Sequence, residues 1–343
     1  MTIKAPPAAS ALSAEPIPSI DLVADSSTPS LRFDATVPRQ LVRRVSVADV
    51  LVTDSARTGS DTFVVAAQLR PRHQFGENEQ TYDFLLLEEM YRQAALLLGY
   101  RHYDVSLDLQ SAILRTMKLH IADLDAMRVS SRRTEAVLSV SARPRRNIAG
   151  RIQSVAFNAD IRLDGRLALD GEGQLFLLPK NVYERMRRRS GEAKYAALPP
   201  APDHTPAPAS VVGRQRARNV VITPPVLDGA GRASAELVVD PNHPCMFGQL
   251  DHIPGNIQME GGRQLAVAEV ARRLGLPADQ LAVVGAVAEF VDYAELGLPS
   301  RVTVEVDDLR PDAPNGAVGS ASVQVSQGGD TVSRAELQVA TRL

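Results

Sequence analysis

Residues 243–275 read "HPCMFGQLDHIPGNIQMEGGRQLAVAEVARRLG", a loop that runs into a segment with helical spacing of its apolar residues. On a helical wheel of about 100° per residue, Glu260, Arg263 and Gln264 fall on the side of Met259, Val267, Val270, Ala271 and Leu274. Gln258, Glu269, Arg272 and Arg273 lie opposite. An acid, a guanidinium and an amide thus stand in the stripe that faces the core. Burying ionised groups is costly unless they are paired or put to chemical use. For one helix alone, a structural i,i+3 ion pair between Glu260 and Arg263 is sufficient explanation.

The same arrangement occurs earlier in the chain, in "YDFLLLEEMYRQAALLLGY" at 82–100. Glu89, Arg92 and Gln93 precede Glu260, Arg263 and Gln264 by 171 positions (260 − 89), and His73 precedes His243 by 170 (243 − 73). Taken alone, Glu88, Glu89, Arg92 and Gln93 form a contiguous polar arc that could face solvent. Repetition of the trio behind a His-bearing loop argues otherwise, because a solvated face has no reason to keep the same three side chains. Each half runs from an extended segment through this loop and helix into alternating strands, such as "EAVLSVSARP" (135–144) and "RVTVEVDDLR" (301–310). Asp164-Gly165 and Gly328-Gly329 mark hairpins at matching places. One long helix followed by an antiparallel meander predicts an α+β unit whose sheet curls round its helix, present twice and pairing as a pseudo-dimer.

The composition fits two ordinary domains. The chain has 343 residues, 44% apolar, with a net charge of −2 and basic and acidic residues intermixed. No chain-wide positive field favours nucleic acid. No run approaches the roughly 20 apolar residues of a membrane span. Cys245 is the single cysteine, so no intramolecular disulfide forms, and no Cys/His spacing suggests a metal site. These features predict a soluble, reduced, cytoplasmic protein. Residues 1–36 are expected to be a disordered tail, 37–189 the first unit, 190–230 a Pro/Ala-rich linker and 231–343 the second unit. Arg185, Arg187, Arg188 and Arg189 suit a basic helix end better than a site for an acidic partner.

Pro254-Gly255 places a proline and a bare backbone at the expected helix start, where free amides can hold an anion or a carbonyl oxygen. A turn alone would also explain the pair. A lone His252 or His243 is more often structural than catalytic.

The chain resembles the hotdog-fold family of A-factor biosynthesis enzymes, which make γ-butyrolactone signals. The resemblance rests on "DHIPGNIQMEGGRQLA", on its partner at 82–100 and on "SVVGR" at 210–214. It implies a tandem hotdog fold and transfer of a β-ketoacyl group from an acyl carrier protein or acyl-CoA thioester to the hydroxyl of dihydroxyacetone phosphate. A more distant similarity is to hydroxyacyl-carrier-protein dehydratases. The resemblance casts Glu260 as general base and the Gly255 and Asn256 amides as an oxyanion site. Arg263 and Arg92 would hold phosphate or orient the acid, with Gln264, Gln93 and His252 also lining the substrate. Across the dehydratase-like pair, His243 would work with Glu89 and His73 with Glu260.

The family pattern reads Glu-Ala-Ala-Arg-Gln where this chain has Gly261-Gly262, a pair costing a helix about 1 kcal/mol each against Ala. That implies a close backbone approach. The first unit has Asp83-Phe84 where the second has Pro-Gly. A thioesterase or dehydratase, or a non-catalytic acyl-binding protein, are the alternatives. No cofactor or metal is expected, and the chain would be a monomeric pseudo-dimer or a homodimer.

Overall fold

The computed structural model describes residues 29–70, 77, 80–103, 105–107, 110–130, 132–228, 231–243, 245–246, 250–310 and 317–342. Most of the expected tail, residues 1–28, lies outside them. Residues 29–36 are fastened to the first unit: the Arg32 amide donates to Asp54 Oδ2 at 3.2 Å and Gln68 Nε2 to the Phe33 carbonyl at 2.8 Å.

The first unit comprises β1 (Val52–Arg57), β2 (Thr62–Leu69), helix α1 (Phe84–His102), β3 (Gln110–Ile121), β4 (Thr134–Arg146), β5 (Ile152–Leu163) and β6 (Arg166–Pro179). Helix α2 (Lys180–Ala197) follows. The second unit repeats the order with β7 (Val226–Leu227), β8 (Ala233–Glu236), α3 (Gly255–Leu274), β9 (Leu281–Phe290), β10 (Ser300–Leu309), β11 (Ala317–Gln327) and β12 (Asp330–Thr341). All twelve strands form one antiparallel sheet, ordered β1-β2-β4-β5-β6-β3-β9-β12-β11-β10-β8-β7. The order is symmetric about the β3–β9 junction, where Leu119 pairs with Ala286 and Met117 with Ala288. Joining edges there leaves each unit no exposed inner edge strand.

Local sequence explains the elements. In β10 Val302, Val304 and Val306 are buried while Arg301 and Glu305 are exposed, the period-two alternation of a half-buried strand. Asp164 and Gly165, at φ +47° and +84°, close β5 onto β6, and Gly328 and Gly329, at +65° and +89°, close β11 onto β12. Asp83 caps α1 by accepting the Leu85 amide at 2.9 Å. Helix α3 begins behind Pro254 and ends at Gly275 in the left-handed region.

Burial is more complete than the wheel implies. Gln258 and Glu269, on the face expected to meet solvent, are 4% and 3% exposed, and only Arg272 and Arg273 reach it. Gln258 survives burial by donating to the Ile253 carbonyl and accepting from Ser333, and Glu269 by pairing with both arginines. The sheet therefore covers this helix nearly all round.

The stretch 190–230, read from composition as a connector, carries the end of α2 and two 3-10 turns, Ala209–Val212 and Ala217–Asn219. Val212, Val220, Val221 and Ile222 are buried in the core. Matching turns stand before β1, at Arg39–Val42 and Val47–Asp49. Proline and alanine density concealed these turns because they lack a regular hydrophobic period.

The Gly261-Gly262 pair lies where α3 presses on the sheet. A Cβ on Gly261 would sit 2.5 Å from Leu237 Cδ2, and one on Gly262 2.7 Å from Val323 Cγ1. Leu237 can swing its flexible end aside, whereas the branched Val323 is stiff. Gly262→Ala is expected to lower stability by about 1–3 kcal/mol despite the gain in helix propensity, and Gly261→Ala by less. Denaturant titration of Gly262→Ala with and without Val323→Ala checks this: the penalty should largely vanish in the Val323→Ala background.

Candidate functional site

Each long helix carries one buried acid knot. Glu260 is fully buried. Arg263 Nε donates to its Oε2 at 2.7 Å and Nη2 to Oε1 at 2.8 Å, while Arg214 Nε reaches Oε1 at 2.7 Å. Gln264 Nε2 donates to the same Oε1, at 2.5 Å, and to the Asn219 carbonyl at 2.7 Å, and its Oε1 accepts the Val221 amide. The first unit repeats this set of partners. Arg92 grips Glu89 at 2.9 and 3.1 Å and Arg44 pairs with it. Gln93 Nε2 bonds Glu89 and the Asp49 carbonyl, and Gln93 Oε1 accepts the Leu51 amide. The first-unit arc is thus not solvated: Glu88, Glu89 and Gln93 are at most 3% exposed.

Arg44 and Arg214 were not singled out from the sequence, although "SVVGR" contains the latter. Aligning "LVRRVSVADVL" (41–51) with "VVGRQRARNVV" (211–221) brings both arginines into register, together with Asp49 and Asn219. That weak repeat was the available signal.

The units also clasp each other. Arg214 Nη1 donates to Asp83 Oδ2, the α1 cap, at 2.6 Å. Glu77 of the first unit accepts the amides of Gln215 and Arg216, at 2.8 and 3.2 Å, and Asn219 Nδ2 at 2.6 Å. Asn256, in the first turn of α3, donates through Nδ2 to Glu88 Oε2 on α1 at 2.8 Å.

Electrostatics separate the three acids. Burial raises Glu260, but Arg214 and Arg263 outweigh it and hold the carboxyl far below the usual range. Glu89 meets the same opposition between burial and its two arginines and is held at about 2. Burial pushes Glu88 up to about 8, the Glu89 charge adding to the effect while Arg92 and Arg44 oppose it. Glu260 and Glu89 are therefore ionised near neutrality with donors on both oxygens. That is poor equipment for the proton-abstracting role expected of Glu260. Glu88, absent from the expected site, is the acid poised near neutral pH.

The other expected residues divide. Helix geometry leaves the Gly255 and Asn256 amides without intrahelical acceptors, whereas those of Ile257 and Gln258 turn back to the Pro254 carbonyl. A Cβ on Gly255 would fall 2.7 Å from the Phe290 ring. His243 is buried, and its Nδ1 accepts the Cys245 amide at 3.0 Å, which leaves the proton of the neutral ring on Nε2. Nε2 has no hydrogen-bond partner among the described residues. Burial lowers the His243 pKa against the pull of Glu260. The carboxylate whose charge bears on His243 is Glu260 of its own unit. His73 lies outside the described residues. His252 joins a different cluster: it bonds Asp251 at 2.6 Å and stands edge-on to Tyr293 at 4.8 Å. Arg187 of α2 ties that cluster together through Glu295, at 2.6 and 2.8 Å, and Asp251. Arg187 is thereby buried, unlike its basic neighbours.

Between α3 and the sheet, Met259, Gly262, Val323 and Leu337 line a cleft no larger than a water molecule, so an acyl chain seated there requires side chains to move. Among the described residues no group of three or more His, Cys, Asp or Glu is placed to hold a metal, and no helix is long and apolar enough to cross a membrane.

Two helices, each enclosed by half of one continuous antiparallel sheet and interlocked at their N-terminal ends, define a tandem hotdog protein. The model of the A-factor biosynthesis hotdog domain matches the chain twice, over residues 26–179 and 196–341. The chain belongs to that family. It is 31% identical to a 2-oxo-3-(phosphooxy)propyl 3-oxoalkanoate synthase of Streptomyces virginiae, over 79% of this chain and 87% of the relative. A protein of the same name from Streptomyces griseus subsp. griseus is 30% identical over 93% of this chain and 94% of its own length. Among solved structures, the 12:0-ACP thioesterase from Umbellularia californica aligns with 81% of this chain and 97% of its own, at 10% identity and a TM-score of 0.47.

Removing one acid leaves two buried arginines facing a neutral group. Glu260→Gln is expected to cost about 3–5 kcal/mol at neutral pH, read as a lowered urea midpoint. Because the folded pKa of Glu89 and Glu260 is depressed, their contribution is present above the ordinary carboxylate value and lost as pH falls below it. For Glu89 the loss runs down to about pH 2. Urea midpoints measured down the acid range should fall less steeply in Glu89→Gln than in the parent chain.

Proposed function

We propose that this chain is an acyltransferase that moves a β-ketoacyl group from a thioester, on an acyl carrier protein or CoA, to the hydroxyl of dihydroxyacetone phosphate. The observation carrying the proposal is the alignment of nearly the whole chain, both units included, with relatives whose name joins a 3-oxoalkanoate to a phosphooxypropyl group. The site chemistry supports it. Transfer needs a place for the negative charge that develops on the thioester oxygen, and the free amides of Gly255 and Asn256 at the positive end of α3 suit that need. It needs a group to relay the acceptor's proton, and buried carboxyls of α1 accept from the Asn256 side-chain amide beside that helix start. In this reading Arg263 and Arg92 serve to orient Glu260 and Glu89, to which each is bound through two nitrogens.

Incubation of the full chain with a β-ketoacyl thioester and dihydroxyacetone phosphate should yield the phosphorylated ester, detected by mass spectrometry. Parallel reactions with carrier-bound and CoA-bound donors identify the donor. Release of free acid at the same rate with and without the acceptor points instead to a thioesterase. Absence of ester from well-folded protein with either donor ends the proposal.

A further inference from the structure

We propose that the proton-relaying group of this transfer is Glu88, and that the chain carries one active site, where Glu88 on α1 meets the first turn of α3, in place of two equivalent ones. The inference rests on the acyltransferase reading above and specifies its chemistry.

Part of this region is duplicated between the units and part is not. The two acid knots set the same kinds of side chain, two arginines and a glutamine, on the acid in both units, so they do not distinguish a working site from a silent one. Both are also saturated: Glu260 Oε1 alone receives bonds from Arg214, Arg263 and Gln264. The contact between the helices breaks the symmetry. Glu88 corresponds at the 171-residue offset (259 − 88) to Met259, and Asn256 (256 − 85) to Leu85. One pseudo-equivalent place therefore has a carboxyl and an amide, and the other has two apolar side chains that can neither carry nor hold a proton.

Glu88 has the surroundings of an acid–base group. It is 1% exposed, and the hydrogen bond it accepts comes from the neutral Asn256. The charged and titratable groups bearing on it are Glu89 and Arg92 from its own helix and Arg44 from the turn before β1. The Cys245 thiol, from the loop before α3, is coupled to it as well and is kept protonated by burial. An unpaired buried carboxyl close to a like charge holds its proton until mildly alkaline pH, and gives it up at little cost there. Asn256 joins that carboxyl to the end of α3 whose first backbone amides have no intrahelical acceptor.

The step balances without a further reagent. The ionised Glu88 takes the proton of the acceptor hydroxyl as that oxygen bonds to the thioester carbonyl carbon. The oxyanion formed rests on the Gly255 and Asn256 amides. When the carbonyl reforms, the carbon–sulfur bond breaks, and the departing sulfur takes the proton from Glu88. An ester and a free thiol result, and the carboxylate is restored.

Glu88→Gln mimics the protonated side chain and keeps the bond partner for Asn256, so it should fold with an unchanged melting temperature near neutral pH. In the parent chain kcat/KM should rise with pH and level off above about 8, since the ionised form is the base. Glu88→Gln should lose about 10²–10⁴-fold in kcat/KM and with it that limb. Leu85→Met, at the apolar counterpart of Asn256, should stay within a few-fold of the parent. Difference infrared spectra provide a readout independent of turnover: a protonated-carboxyl band should vanish as pH rises through the same range, and be missing in Glu88→Gln. Ester formation by the parent with undiminished kcat/KM in Glu88→Gln overturns the inference and leaves the acyltransferase reading standing. A carboxyl band that does not titrate there overturns it too. No ester from the parent removes the acyltransferase reading itself.

Discussion

A carboxylate held by two arginines and a glutamine, out of reach of water, is the interaction on which each unit is built. Moving such an acid into the core is unfavourable unless nearly every lone pair finds a donor. The second arginine and the carbonyl that receives the glutamine come from the 3-10 turns ahead of the first strand, and the first arginine from the helix itself. Charge balance thereby pins those turns to the helix. The sheet edge that begins beyond them is placed as a consequence.

The knots also fix how the two units meet. Arg214 divides its guanidinium between Glu260 of its own helix and the Asp83 cap of the other, so the helix starts are held together by the same charges that hold each helix in its sheet. Glu77 reinforces the clasp from a single position of the first unit. With β3 joined to β9, the contact between the first turn of α3 and the start of α1 is held from two sides. A contact of that kind can hold a reactive geometry, and here it brings Glu88, a buried carboxyl with no ion pair among the described residues, beside the first turn of α3.

Duplication is informative because its failures stand out. The repeated acids are ionised, saturated and alike, which suits architecture. Glu88 has no counterpart, lacks an arginine bound to it and titrates in a useful range. The residues most visible in the sequence are those that hold the fold, and the residue fitted for proton transfer was hidden beside one of them, since adjacent glutamates look interchangeable until their partners are known.

The sequence alone determined a duplicated unit of one long helix and an antiparallel meander, the helix starts, the hairpin turns and the core-facing place of the repeated trio, because hydrophobic period, turn chemistry and a 171-residue repeat are local or directly countable. It also pointed to the family. Only the tertiary structure decided that Arg44 and Arg214 complete the trios and that His252 belongs to the cluster around Arg187. These depend on which distant segments touch, and a proline-rich stretch or a one-residue step along a helix carries no trace of that. The difference between Glu88 and Glu89 is of the same kind: two identical side chains acquire opposite acidities because one points at arginines and the other at an amide.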